Sequence, residues 1–385
     1  MTTVLHLIDE STQEDALTTL AQLLSRMALP DTTHVVGAFG AVSVPESIAR
    51  HARAVRLGDR MGWPFWRAMP LRRVIDSLGL SLVHAWSAVA AGCAQLAAGE
   101  TCPVLATVCE PPMPRRWGRW VAAAERFRSL RPPTMVFPSQ QFRRRALAAG
   151  IAMESCGVIQ PAVDFAAINE ARRSTTRASL GIRTDGPILL TVMPPTGSGG
   201  QYYAVWAAAV LQQLWPDIRV VAPGLSAEAR RLVRFAMSFQ MPELVIATGR
   251  RVAFERLLAV ADVLVVPALD DAPVGGLAWA MAASVPIVGS AIPAVAEYLA
   301  DGHNALLCKP GDPMLLAQRI RTALRDREMV ASLCETARGE AFDSFSLTRL
   351  AKEYRSVYAN LLAGRSAFSG LDDVAIAASG ASVSA

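Results

Sequence analysis

No run of 18 apolar residues occurs in this 385-residue chain, so no segment reads as a membrane-spanning helix. The longest candidates, around 85–98 and 257–269, are broken by Ser87, Gln95 or Asp262. The six cysteines, at 93, 102, 109, 156, 308 and 334, form neither a CxxC pair nor a zinc-ligand spacing. That excludes a disulfide scaffold and a zinc module and implies free thiols in a reducing compartment. Gly-X-Y and heptad repeats are absent, and the start, MTTVLHLIDESTQED, is acidic where a secretory signal is basic. The expected location is therefore cytoplasmic.

Lysine is missing from residues 1–155, which hold 17 Arg against 12 Asp+Glu. Residues 156–385 balance 21 Arg+Lys against 21 Asp+Glu, so the whole excess of +5 lies in the first part. Sixteen of the 17 arginines fall in 50–73 and 115–145. With 52% hydrophobic and 18% charged residues, the chain is too apolar for disorder and long enough for two cores.

Short β-branched runs alternate with helix-length amphipathic segments throughout, beginning with Thr3–Ile8 and Glu14–Ala28 and resuming with Ile188–Met193 and Gln201–Leu214. Such alternation predicts parallel sheets flanked by helices. The expected fold class is α/β, with two Rossmann-like domains and a cleft between them at the strand C-terminal ends. Residues 1–165 form the first domain and 166–345 the second, with a polar linker near 161–184. The last helix, 346–363, is followed by a small, polar, disordered tail at 364–385.

Residues 262–313 carry a recognisable pattern: Ala261-Asp262, Pro267, Ala280-Met281-Ala282, Pro286-Ile287-Val288, Glu297, Asp301-Gly302 and Pro310-Gly311-Asp312. It resembles the donor-binding region of the group 1 (family 4) glycosyltransferases. SLVHAWSAVAA (81–91), FPSQQFRRRALAAGI (137–151) and IQPAVDF (159–165) resemble further segments of that family. The resemblance extends over residues 3–362. It implies the GT-B arrangement, a terminal helix crossing back to the first domain, and transfer of a sugar from a nucleotide diphosphate with retention of anomeric configuration. No metal or cofactor is implied, the nucleotide-sugar being substrate.

That chemistry develops negative charge on a diphosphate, which cations and aimed N–H groups stabilise. The family's Arg and Lys after the first strand of the second domain fall here on Pro194 and Gly199. Of its paired glutamates, the first aligns with Asp271, the position of catalytic and donor-side interest. The second, which accepts from the ribose hydroxyls, aligns with Trp279, an indole with no acceptor. The phosphate-approaching Gly-Phe-Gly becomes Ala272-Pro273-Val274, and Pro273 removes an N–H. The glycine loop of the first domain becomes Ser11-Thr12-Gln13-Glu14, and a histidine becomes Cys109.

What remains for a donor is the backbone of Thr196, Gly197, Ser198, Gly199 and Gly200 at a helix N-terminus, with Asp271 and Glu297. Glu14, His84 and Cys109 lie on the acceptor side. The stretch 115–131 sets Trp117 and Trp120 on one apolar helical face, surrounded by Arg116, Arg119 and further arginines, a pattern suited to an anionic membrane surface at the inner face of the membrane. No groove-reading motif accompanies the charge, so nucleic acid is not an expected partner. The leading expectation is a retaining glycosyltransferase acting on a polysaccharide or lipid-linked acceptor. Beside it stand a silent homologue that partners an active glycosyltransferase, and a nucleotide-sugar epimerase of the same fold. Whether the chain is an enzyme stays open at this point.

Overall fold

The computed structural model describes residues 2–27, 32–40, 42–58, 64–98, 102–109, 133–191, 199–223, 227–248, 252–270 and 274–370. They form two compact units, one of residues 1–162 with 347–385, the other of 163–346. The borders expected from the sequence lie at 165/166 and 345/346.

The first unit holds β1 (Thr2–Ile8), β2 (Thr32–Ala38), β3 (Arg53–Arg56), β4 (Leu82–Ala85), β5 (Val104–Thr107), β6 (Thr134–Phe137) and β7 (Cys156–Val158). They pair in the order β3-β2-β1-β4-β5-β6-β7, every pair parallel. Both faces are covered, as an all-parallel sheet requires. Leu5, Leu7, Val35 and Val83 pack under the helix Ala88–Ala98 on one face. Val4, Ile8, Val36, Leu82 and Leu105 pack on the other, under the helices Glu14–Arg26 and Leu347–Leu362.

The second unit holds β8 (Ile188–Thr191), β9 (Arg219–Ala222), β10 (Val245–Ala247), β11 (Val263–Val266), β12 (Ile287–Ser290) and β13 (Leu306–Cys308). Their order is β10-β9-β8-β11-β12-β13, again wholly parallel. Each unit is therefore a doubly wound, Rossmann-like α/β domain, the fold class expected from the alternation. Among the described residues no helix is long and apolar enough to cross a membrane.

Three local expectations need correction. The stretch read as a polar linker contains the helix Phe165–Ser174, started by Asp164, whose carboxylate accepts from the amides of Ala166 and Ala167. A helix at Arg327–Ser344 was not foreseen, because its buried face is Leu333, Ala337 and Ala341, too small a stripe to read as amphipathic. Residues 364–370, read as tail, are ordered. Phe368 is buried against Gly157, where a Cβ would meet its ring at 2.1 Å. The buried Asn360 amide donates to the carbonyls of Ala367 and Ser369.

Candidate functional site

In a doubly wound sheet, the loops leaving the two central strands run to opposite sides and open a crevice at the strand C-terminal ends. In the second unit these strands are β8 and β11. The loop after β8 ends at Gly200, whose φ is +66°. A Cβ there would stand 1.8 Å from the Pro267 carbonyl oxygen, just past β11, so the backbone of one loop rests on the other and only glycine fits. Gly200 is the N-cap of the helix Gln201–Leu211, and its carbonyl accepts from the Tyr203 amide at 2.8 Å. Gly199 is buried beside it. At the end of β8 the Thr191 hydroxyl is buried (1% exposed) with no hydrogen-bond partner among the described residues.

One further part of the family-like pattern, Gly311, meets this rim. A Cβ on Gly311 would lie 3.7 Å from Leu269 and 3.9 Å from the Tyr203 hydroxyl, which brings the strand ends of β11 and β13 to the helix that Gly200 starts. Glu297 is half-buried directly after the short helix Pro293–Ala296 that follows β12. Trp279 is half-buried and packs on the hydrophobic core of this unit. Thr196, Gly197, Ser198 and Asp271 lie outside the described residues, as do Pro194 and Pro273.

The aspartates of the pattern have structural partners. Asp262 accepts from the Ile188 amide at 2.7 Å and pairs with Arg177 at 2.9 Å. Asp301 accepts from the Leu307 amide at 2.8 Å and pairs with Arg319 at 3.0 Å. Asp312 caps the helix Pro313–Arg325 through the amides of Met314 and Leu315.

In the first unit the crevice lies between β1 and β4. Asp9 directly follows β1 and is 2% exposed. Its Oδ1 accepts from the Ser11 amide (3.0 Å), the Ser11 hydroxyl (2.7 Å) and the Ser87 hydroxyl (3.0 Å) beyond β4. Ser87 Oγ in turn accepts from the Ala90 amide and so starts the helix Ala88–Ala98. Asp9 thus fixes the 9–13 loop across the crevice, a part the sequence reading missed. Glu14 is exposed in the first turn of its helix, and Cys109 is half-buried just past β5. Arg116, Trp117, Arg119 and Trp120 lie outside the described residues.

His84 does not face an acceptor. It is wholly buried, its Nδ1 2.7 Å from the Tyr358 hydroxyl and its Nε2 2.8 Å from Thr107 Oγ1, which lies 2.8 Å from the Tyr354 hydroxyl. The reason is periodicity. His6 and His84 are opposite each other on β1 and β4, and with His34 they point to the face that the helix Leu347–Leu362 covers. Tyr354 and Tyr358, one turn apart on that helix, bring their hydroxyls to the histidine and threonine. A second chain of bonds begins at the Trp86 indole N–H, which donates to His6 Nδ1 at 3.2 Å. His6 must then carry its proton on Nε2 and donate to His34 Nδ1 at 3.0 Å, leaving His34 to donate from Nε2 to the Met27 carbonyl at 3.3 Å. Burial, followed for His6 by the neighbouring imidazoles of His84 and His34, holds the pKa of His6 and His84 well below 6.5. Burial likewise pushes the thiols of Cys102, Cys156, Cys308 and Cys334 up to about 11, where they are poor nucleophiles. No group of three or more metal-ligating side chains occurs among the described residues.

Comparison with known proteins places this geometry. The sequence model of the family described as "Glycosyl transferases group 1" matches residues 172–340, and that of "Glycosyltransferase Family 4" matches residues 16–167. The chain is 23% identical over 146 residues to N-acetyl-alpha-D-glucosaminyl L-malate synthase of Bacillus anthracis, 38% of each chain. It is 25% identical over 194 residues to the putative glycosyltransferase EpsD of Bacillus subtilis (strain 168), 50% of this chain and 51% of that one. The chain thus spans about half or less of the length of these curated relatives. Among solved structures it is similar to HepE of Anabaena in complex with UDP-glucose, with a TM-score of 0.78, 17% identity, and 94% of this chain and 100% of that one covered. It is also similar to WaaG, a glycosyltransferase involved in lipopolysaccharide biosynthesis, with a TM-score of 0.67, 15% identity, and 94% and 100% covered. At these identities the structural likeness speaks for the fold.

Proposed function

The chain belongs to the group 1, family 4 glycosyltransferases, and from that membership we propose that its second unit binds a nucleotide-sugar at the β8/β11 crevice. The sugar is transferred with retention to a polysaccharide or lipid-linked acceptor, in the cytoplasm, with residues 115–131 meeting the inner face of the membrane. The observation that carries the reading is Gly200. Its left-handed backbone, with no room for a Cβ against Pro267, sets a helix N-terminus at the C-terminal end of β8. Such an end presents N–H groups and a positive dipole to a phosphate. The buried Thr191 hydroxyl at the same strand end adds a polar group that needs a partner.

Magnitudes set the expected strength. A hydrogen bond to a charged group is worth about 1.5–3 kcal/mol, so Pro194 and Gly199 in place of two cations remove roughly 3–6 kcal/mol. A helix end returns at most about 2 kcal/mol. The donor should therefore bind through the backbone, weakly, unless other cations reach it. A second reading, a silent homologue that partners an active glycosyltransferase, is favoured by Trp279, which aligns with the family's ribose-binding glutamate and packs on the core of this unit. Calorimetric titration with UDP, GDP, ADP and their sugar conjugates separates the two. HepE, with UDP-glucose bound, makes UDP-glucose the first to try. Saturable binding with release of free nucleotide upholds the transferase, and an epimer of the bound sugar as sole product would point to the epimerase. No binding at millimolar concentration leaves the silent homologue.

A further inference from the structure

The second unit has an exposed surface that the donor reading does not use. On the helix Gln201–Leu211, Tyr202 and Trp206 stand one turn apart and are 43% and 45% exposed. The neighbouring helix Ala227–Ser238 braces them from below. Phe235 meets Tyr202 edge-on at 5.0 Å, and Phe239 lies 6.4 Å from Trp206 and 5.0 Å from Phe235. On the solvent side of that second helix, Arg230, Arg234 and Met237 follow at i, i+4 and i+7, with Arg231 beside them, all exposed. No acidic residue occurs in 199–216 or 229–241. The result is an aromatic ridge edged by three guanidinium groups on two adjacent helix faces.

We propose that this surface docks on an anionic lipid bilayer, as a peripheral contact separate from the 115–131 stretch. The chemistry is complementary in both parts. Indole and phenol rings settle at the headgroup level, while arginine stems lie along the apolar ridge and their heads meet lipid phosphates. Against these three arginines the two helices carry one carboxylate, Glu228 in the first turn of the second, a positive excess that suits a negative surface, and the exposed faces offer side chains where a peptide ligand would look for a groove or free backbone. An acidic protein partner is the competing occupant. No part of the proposal depends on nucleotide binding.

The test is flotation of the full chain with phosphatidylglycerol-containing vesicles and with pure phosphatidylcholine vesicles, together with hydrogen exchange of the bound state. Each arginine near an anionic surface contributes about 1 kcal/mol, or roughly fivefold in partition. The expected result is binding to anionic vesicles only, weakened about 25-fold by R231Q/R234Q and reduced by Trp206→Ala, with an unchanged melting temperature. Protection from exchange should appear in peptides covering 201–214 and 229–241. Failure to float, flotation unaffected by these variants, protection confined to other segments, or capture by an acidic protein with no vesicle binding would each overturn it. A variant that melts early is replaced by Arg234→Gln alone, for which a fivefold loss is expected and no loss refutes.

Discussion

The directed bond chain Trp86 to His6 to His34 to the Met27 carbonyl predicts how acid attacks the first unit. His6 Nδ1 accepts from an indole N–H, so a proton there would set two donors against each other inside the core. The folded pKa of His6, His34 and His84 is held down, chiefly by burial, while the unfolded value is about 6.5. Folding therefore excludes protons that the unfolded chain takes up. The stability held at neutral pH is lost as pH falls below about 6.5, and the loss continues down to the folded pKa. For one imidazole that stays neutral the loss is about 1.4 kcal/mol per pH unit, or roughly 2 kcal/mol between pH 6.5 and 5. His6 and His84, both held well below 6.5, would together remove about 4 kcal/mol, a large part of an ordinary domain stability of about 5–15 kcal/mol. The assay is denaturant unfolding read by hydrogen-exchange mass spectrometry in β1, β2 and β4, at pH 7.5 and pH 5. A His6→Asn variant is compared for its pH slope, since its absolute stability also drops through the broken chain. The acid-induced loss should shrink by about 2 kcal/mol in the variant. Equal slopes in the two proteins would refute the assignment, as would a resolved imidazole proton on His6 Nδ1.

Other outcomes follow from the same coordinates. Tyr358→Phe strips His84 Nδ1 of its buried partner and should cost about 1–3 kcal/mol, whereas Tyr354→Phe leaves the His84–Thr107 bond intact and should cost less, by thermal melting. Gly200→Ala forces a left-handed alanine, about 1–2 kcal/mol unfavourable, against the Pro267 oxygen. It should lower the melting temperature and abolish any nucleotide titration. Joint restoration of cations and carboxylate, P194R/G199K/W279E, should tighten UDP binding by at least an order of magnitude in calorimetry, and no gain would discredit the register that places those residues.

The alternation of strands and helices was legible because parallel strands buried on two faces read as unbroken apolar runs such as ILLT at β8 and VLVV at β11. The helix Arg327–Ser344 was not, since alanines at 337 and 341 carry its buried face and leave little hydropathic contrast. His84 shows a different limit. Its place at the end of a strand pointed to an active surface, yet strand phase alone put it on the same face as His6. What sealed it were two tyrosines about 270 residues away, and no local pattern announces such a partner. A signal was available in the sequence: His6, His34 and His84 each sit in a strand with no other ionisable residue, where a charged imidazole is untenable and a neutral, hydrogen-bonded one is the remaining choice. Asp9 was overlooked for the opposite reason, because an acidic residue after a strand looks like an ordinary loop.

The family-like pattern separates physically into residues that hold the domain together and residues that would touch a ligand. Asp262 ties β8 to β11 through the Ile188 amide, Asp301 closes the turn before β13, and Asp312 caps a helix. Gly200 lets two loop backbones meet. Each contributes to folding whether or not a nucleotide is ever bound. In the alignment that the resemblance implies, Pro194, Gly199 and Trp279 would stand where charge serves a ligand alone, and a domain can lose such charges with no loss of fold. The resemblance therefore measures retention of the scaffold, and activity has to be judged at the three substituted positions. A protein that keeps the helix-end cradle without the cations can bind a diphosphate only to the extent that N–H groups and a dipole replace full charges. Raising ionic strength screens exposed charges more than hydrogen bonds at a buried helix end. If the backbone cradle is the site, the measured UDP affinity should change less than threefold between 50 mM and 500 mM salt. A steep loss over that range would place unidentified cations in the site and restore the usual electrostatic mechanism.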